Sequence, residues 1–315
     1  VGPNSVDVFG DNSTLDAQGH AITANSLSLG LFGGTNVQLL NRGDLTVVNL
    51  AVANQNFNLT ATDQVTSFQL SNGSTTFGTD VTVQDLFLFN GATATTSAVG
   101  NITGYVQVFG STLTLGAALD VGPNSVDVFG DNSTLDAQGH AITANSLSLG
   151  LVGGTNVQLL NDGAITAGSL NVGSGTQVEL HGGNDTAQSL LLSGNSDLTI
   201  KSGPTGFTLA GTSISNLSIQ DTSTLTLELN GLQPGWVFRW ANPDSGDHIA
   251  TLTDLIDQGR IVFTVVNGGE YTLFSQDGYT YVFQPVPEPA LSLLAASLVG
   301  LYLRRRKRQT ACAVS

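Results

Sequence analysis

Cysteine is nearly absent. The 315 residues contain one, Cys312, so no intrachain disulfide can form. Stability must come from packing and backbone pairing. Methionine is missing altogether, and the first residue is Val1. The chain therefore reads as starting internally, after processing or in an incomplete reading frame, which leaves a preceding signal peptide open. Basic residues are scarce, with nine Lys and Arg against 24 Asp and Glu. Five of the nine are consecutive near the end, which leaves Arg42, Lys201, Arg239 and Arg260. Residues 1–303 thus carry four basic residues against 24 acidic ones, a net of −20. Such a body is repelled by nucleic-acid phosphates, so no nucleic-acid partner is expected. It suits divalent cations or a salty exterior. Phosphate-loop chemistry is excluded, because no Gly-Lys-Ser/Thr follows the glycine-rich turns. His20 and His140 have no partner pattern, and His181 and His248 are isolated, so zinc is not expected. No cofactor is called for. No convincing amphipathic helix precedes residue 250.

What is abundant is repetition. Residues 1–43 return at 121–163 with two changes, Phe32 to Val152 and Arg42 to Asp162. Exposed and buried positions match alike, which suggests duplication of a segment rather than preservation of a site. A finer period lies beneath it. The frame polar–apolar–x–apolar starts at Ser5, Ser26, Asn49, Ser67, Asp85, Tyr105, Ser125, Ser146, Ser169, Ser189 and Asn216, in steps of 18 to 27 residues. The first six steps together equal the 120-residue offset of the long repeat.

Apolar residues alternate within each unit, as in Leu27 and Leu29, which is strand periodicity. Gly, Asn and Asp lie between, where turns need positive φ or side-chain hydrogen bonds. Each unit is too short for a helical crossover. The expected fold is all-β, a parallel β-solenoid over residues 1–231 with about eleven coils and a rod length of about 50 Å. A β-sandwich is the competing architecture; the regular register favours the solenoid. Val6, Leu27, Leu50, Phe68, Leu86, Val106, Val126, Leu147, Leu170, Leu190 and Leu217 should form one interior ladder. Val8, Leu29, Val52, Leu70, Leu88, Val108, Val128, Leu149, Val172, Leu192 and Ile219 should form its neighbour. The stretch STLDAQGHAIT (13–23, again 133–143) resembles a segment common in right-handed parallel β-helix proteins, which supports the coil.

Residues 232–284 read as an aromatic-rich β cap, with Trp236, Phe238, Trp240, Phe263, Tyr271, Phe274, Tyr279, Tyr281 and Phe283. GRIVFTVV and YTYVF read as strands, and TLTDLIDQG as a short helix ending at Gly259. A cap covers the exposed edge and apolar interior that a solenoid presents at its end.

The last part is VPEPALSLLAASLVGLYLRRRKR. Pro287, Glu288 and Pro289 stop the preceding strand and present an extended segment. An uncharged run follows at 290–303, carried by Ala290, Leu291, Leu293, Leu294, Leu298, Val299, Leu301 and Leu303. As a helix it spans about 21 Å, short of the roughly 30 Å hydrocarbon core. Arg304, Arg305, Arg306, Lys307 and Arg308 form a basic stop that the positive-inside tendency keeps cytoplasmic. Motif, apolar helix and basic cluster stand in the order of the PEP-CTERM sorting signal, which residues 286–310 closely resemble; 311–315 is a tail past its usual end. The resemblance implies a substrate of exosortase in a Gram-negative bacterium. It also implies transient anchoring in the inner membrane by the C-terminal transmembrane helix, then cleavage, with the product secreted or held at the cell surface. Extracellular polysaccharide is a further partner on that reading.

Two function classes follow. One is a non-catalytic structural or adhesive protein of the cell surface or extracellular matrix, an adhesin or rigid spacer; this is the reading adopted. The alternative is a β-helix polysaccharide lyase or glycoside hydrolase with the same sorting signal. It would need convergent carboxylates and usually a basic side chain. The candidate acids are Asp7, Asp11 and Asp16, with copies Asp127, Asp131 and Asp136. Their spacing matches neither a calcium nonapeptide repeat nor an EF-hand loop, and Asp is a common turn residue. No catalytic or metal-binding residue is assigned.

Overall fold

The computed structural model describes residues 4–285, except 99, 161, 182–183, 202–205, 231–234, 245 and 267–269. The sorting motif, apolar run, basic cluster and tail lie outside the described residues.

The chain winds as a parallel β-solenoid of about nine turns. Its longest sheet begins with Ser5–Val8, Ile22–Leu29, Leu45–Ala53 and Gln64–Ser71 and continues coil by coil to Gly235–Ala241. Every described pairing along that path is parallel, which excludes the sandwich. Both interior ladders are in register throughout. From Leu27 to Leu190 and from Leu29 to Leu192 their members are buried. At the first rung Val6 and Val8 are only partly covered. Turns number fewer than the eleven frames because the outermost frames are terminal. Ser5–Val8 is an open edge rung, and Leu217–Ile219 pairs with Thr186–Leu192 off the main path, on the level that Phe207–Leu209 also occupies.

Shorter parallel sheets form a second face. Thr14–Asp16 pairs with Gln38–Leu40. Ser74–Thr76, Thr93–Thr95, Thr112–Thr114, Thr134–Asp136 and Gln158–Leu160 form five rungs. Gln177–Leu180, Asp197–Ile200, Thr224–Asn230 and Ile261–Val266 form four more.

The corners explain the abundance of Asn and Gly. Asn54, Asn72 and Asn90 adopt φ of 60°, 49° and 54°, the left-handed region that Asn tolerates best after Gly. Their side chains also pair between coils: the Asn72 amide donates to Asn54 Oδ1 at 2.9 Å, as Asn36 does to Asn12 and Asn156 to Asn132, both at 3.0 Å. Gly34 and its copy Gly154 have a steric reason as well. At φ of 118° and 125°, a Cβ there would meet the backbone of Gly10 and Gly130 at 2.5 and 2.6 Å.

Winding stops where pairing reverses. Gly235–Ala241 lies parallel to Phe207–Leu209 but antiparallel to Tyr279–Gln284, which pairs antiparallel with Thr272–Gln276. Trp240 is fully buried, donates its indole N–H to Gly211 O at 2.8 Å and stacks on His248 at 3.8 Å between centroids. The Arg239 guanidinium lies over both Trp236 and Tyr279, at 4.4 and 4.6 Å from their centroids. The helix Ile249–Asp257 ends at Gly259, whose φ of 68° suits a helix terminus. Ile261–Val266 continues the second face in parallel instead of joining the closing hairpin.

Leu147 has 0% exposure and sits between Val126 and Leu170 on the ladder. Truncation to Ala should cost about 2–5 kcal/mol by urea denaturation. Leu147→Asp, which adds an unpaired charge, should be worse and lower the melting temperature further. Wild-type melting of the Asp variant would show that this position faces solvent.

Candidate functional site

The solenoid distributes the candidate acids instead of gathering them. Asp7 points outward from the long sheet, Asp16 belongs to the second face, and Asp11 occupies the turn between. The copies repeat this pattern. Asp11 accepts the Thr35 backbone N–H at 2.8 Å and its hydroxyl at 3.0 Å; Asp131 binds Thr155 likewise, at 2.8 Å for both. The backbone N–H, and then the hydroxyl, hold each carboxyl below its ordinary pKa. Asp16 accepts from the Gln18 N–H and the Asn41 amide, both at 3.0 Å, and Asp136 from the Gln138 N–H at 3.2 Å. These acids clasp turns. Among the described residues no three His, Cys, Asp or Glu cluster as metal ligands would.

The histidines are equally dispersed. The His20 and His140 backbones close matching turns onto Ala17 and Ala137 at 2.8 Å. His248 is buried against Trp240, and His181 Nδ1 lies 2.8 Å from Asp162. Lys201 Nζ bridges Glu179 at 3.3 Å and Glu228 at 3.5 Å.

The two changes in the long repeat have different weight. Phe32 and Val152 are both exposed. Arg42 instead forms a two-pronged ion pair with Asp63, at 2.7 and 2.8 Å. Asp63 also accepts the N–H of Leu45 at 2.8 Å and of Thr60 at 2.7 Å. Burial pushes the Asp63 carboxyl up, but the guanidinium and these N–H groups together outweigh it and hold the pKa below the usual range. In the second copy Asp185 takes the same post, accepting the N–H of Ile165 at 2.9 Å. There Asp162 replaces the arginine and turns to the His181 backbone N–H, 3.0 Å away.

Two of several depressions on the surface have linings that bear on ligand binding. The larger, about 670 Å³, is hydroxyl-rich and lies over Asp63, with Thr23, Thr46 and Thr82 on its walls. The other, about 430 Å³, runs along the outer face of the long sheet. Small outward side chains, Ser28 and Ala51, form its floor, with Asn49, Ser67 and Gln69 beside them. Phe87 and Phe89 form one wall. Their rings lie within 5° of parallel, with centroids 6.5 Å apart. Phe89, Phe109 and Phe129 continue as a column in register, at 6.3 and 5.4 Å between centroids. Tyr105 packs on Phe87 at 5.6 Å, and its hydroxyl donates to Asp127. Burial, then that carboxylate, raises the Tyr105 pKa, so the phenol stays protonated.

Sequence reading placed the notable aromatics in the C-terminal block and missed this outer column. The signal was present in the frame itself. Phe87 occupies the outward slot between two ladder residues, and Phe9, Phe89, Phe109 and Phe129 each follow a frame directly.

Fold and surface together define a β-solenoid protein with turn-bound acids and an aromatic-walled groove. In comparisons with known proteins, no family model, curated protein or solved structure matches the chain.

The Asp63 pKa is depressed in the fold, so its contribution is full above the unfolded carboxylate value, near 4, and is lost as pH falls through the lowered folded value. Asp63→Ala should cost about 2–3 kcal/mol at neutral pH, below a fully buried pair because the Arg42 side chain keeps 15% exposure. Urea titrations between pH 7 and 2 should show the wild-type advantage shrinking on the acid side; an advantage independent of pH would refute the ion-pair account.

Proposed function

We propose that this chain is a secreted or surface-displayed structural or adhesive protein of a Gram-negative bacterium. Exosortase sorts it through the C-terminal signal, and it works in contact with extracellular polysaccharide. The observation that carries the reading is the pairing of a regular β-solenoid body with a tail in PEP-CTERM order. A solenoid is a rigid spacer whose stability grows by nearest-neighbour stacking, independent of disulfides. Its acidic, cation-poor surface suits an aqueous exterior. The motif of Pro287, Glu288 and Pro289 offers an extended strip to a membrane-bound processing enzyme, and the run at 290–303 holds it there. Among the described residues no helix is long and apolar enough to cross a membrane; the proposed anchor lies outside them.

The polysaccharide lyase or hydrolase alternative draws no specific support from the geometry. The candidate carboxylates lie on different faces, and Arg42, Lys201 and Arg239 are each committed to a carboxylate or to aromatic rings.

Deleting residues 287–289 in the native host should leave the protein in the membrane fraction, while the wild type is released or displayed. Fractionation and immunoblotting, with an exosortase-deficient strain as reference, measure this. Unchanged release of the deletion variant would contradict the sorting assignment.

A further inference from the structure

We propose that the outer-face groove beside Phe87 and Phe89 binds a neutral polysaccharide chain. The inference rests on the polysaccharide-associated reading above and narrows it to one surface and one ligand chemistry.

The argument begins with how the groove arises. Parallel register places one outward residue of each coil above that of the next, so a change in side-chain size along a column makes a step. Along the column of Ser28, Ala51, Gln69 and Phe87 the side chains grow from small to aromatic across four consecutive rungs. The floor is therefore low where Ser28 and Ala51 lie, and the ring of Phe87 rises as a wall. Leu31, on the earlier coil, contributes a second apolar edge and is 37% exposed.

The lining then selects among ligands. The faces of Phe87 and Phe89 carry the negative side of the aromatic quadrupole. Sugar rings present slightly positive C–H faces to such a surface, and Phe87 and Phe89, 6.5 Å apart and nearly parallel, both line the groove. Gln69, Gln107 and Asn49 border the same groove. A carboxamide both donates and accepts, which matches hydroxyl groups that do the same. Ser26, Ser28 and Ser67 add hydroxyls.

Charge decides between glycan types. The described lining contains no Lys or Arg, and Asp85 and Asp127 lie on the same outer face. A uronate, sulfated or phosphorylated polymer would meet repulsion without a counter-cation. The larger depression over Asp63 has hydroxyls but no aromatic plane, so it lacks the stacking half of this chemistry.

The test is affinity electrophoresis of the purified full chain through native gels. The gels contain hydroxyethyl cellulose, dextran or polygalacturonate. Retardation is expected in at least one neutral glycan and not in polygalacturonate. Phe87→Ala should weaken binding about tenfold, and the Phe87→Ala/Phe89→Ala pair should remove it. Phe87→Tyr should retain it. Gln69→Ala leaves the aromatic wall intact and should weaken binding severalfold. Melting curves identify any variant that loses the fold; Gln69→Ala and Phe87→Tyr then carry the comparison. No retardation by either neutral glycan, stronger retardation by polygalacturonate, or unchanged binding by the folded double variant would overturn the proposal. Purified protein makes the result independent of export. Loss of binding with normal sorting would sink the groove alone, and binding with failed sorting would sink the sorting reading alone.

Discussion

The interaction on which everything else depends is the backbone hydrogen bond between one coil and the next. It is made in parallel and in register, so every side chain sits over its counterpart in the neighbouring coil. Once that alignment holds, interior Leu and Val become continuous columns and corner Asn residues can pair. Outward residues add up to surfaces that no single coil contains. Without disulfides, this vertical pairing and the apolar columns it aligns carry the body.

The inner columns were legible because two periodicities agree. Alternation within a strand marks the inward positions, and the recurrence of the frame says which strands stack. Leu27, Leu50 and Phe68 could be aligned without knowing any loop, since loops of different length return to the same rung. The corners were legible for the same reason: Asn54, Asn72 and Asn90 each stand two residues past a frame, where the backbone must turn. What sequence could not supply was the partner of a side chain that leaves the frame. Arg42 and Asp63 meet because the intervening loop places them on adjacent levels, and nothing in the spacing distinguishes that loop from others. The number of complete turns was likewise hidden, because the first and last frames are terminal rungs that spacing alone does not distinguish from the others. Ile261–Val266 was recognisable as a strand, but its parallel seat on Thr224–Asn230 depended on the path of the chain through the closing region.

The duplication offers an internal comparison of how far environment, and not sequence, sets local structure. The turns held by Asp11 and Asp131 agree to 0.2 Å in both contacts, since the residues they touch are copied too. Where one residue differs, the surroundings adjust. Asp63 and Asp185 both accept a backbone N–H from the start of the preceding long-sheet strand, yet the groups around them differ. The candidate surface shows the complementary case. Phe87 and Phe89 fall outside both copies of the long repeat, so the groove's aromatic wall comes from the intervening coils, while Ser26, Ser28 and Leu31 of the first copy line its other side.

The reversal of pairing at Tyr279–Gln284 has a mechanical consequence. Along most of the rod, neighbouring coils are linked by rows of hydrogen bonds that point along its axis, so a tensile load passes through the levels in series. Such a stack yields at its weakest level and can peel one coil at a time instead of rupturing all at once. At the far end the antiparallel hairpin, with Trp240 wedged on His248 and Arg239 gripped by two rings, fastens the last level by side-chain contacts as well. Unravelling under a tensile load is therefore biased away from the latched end of the solenoid.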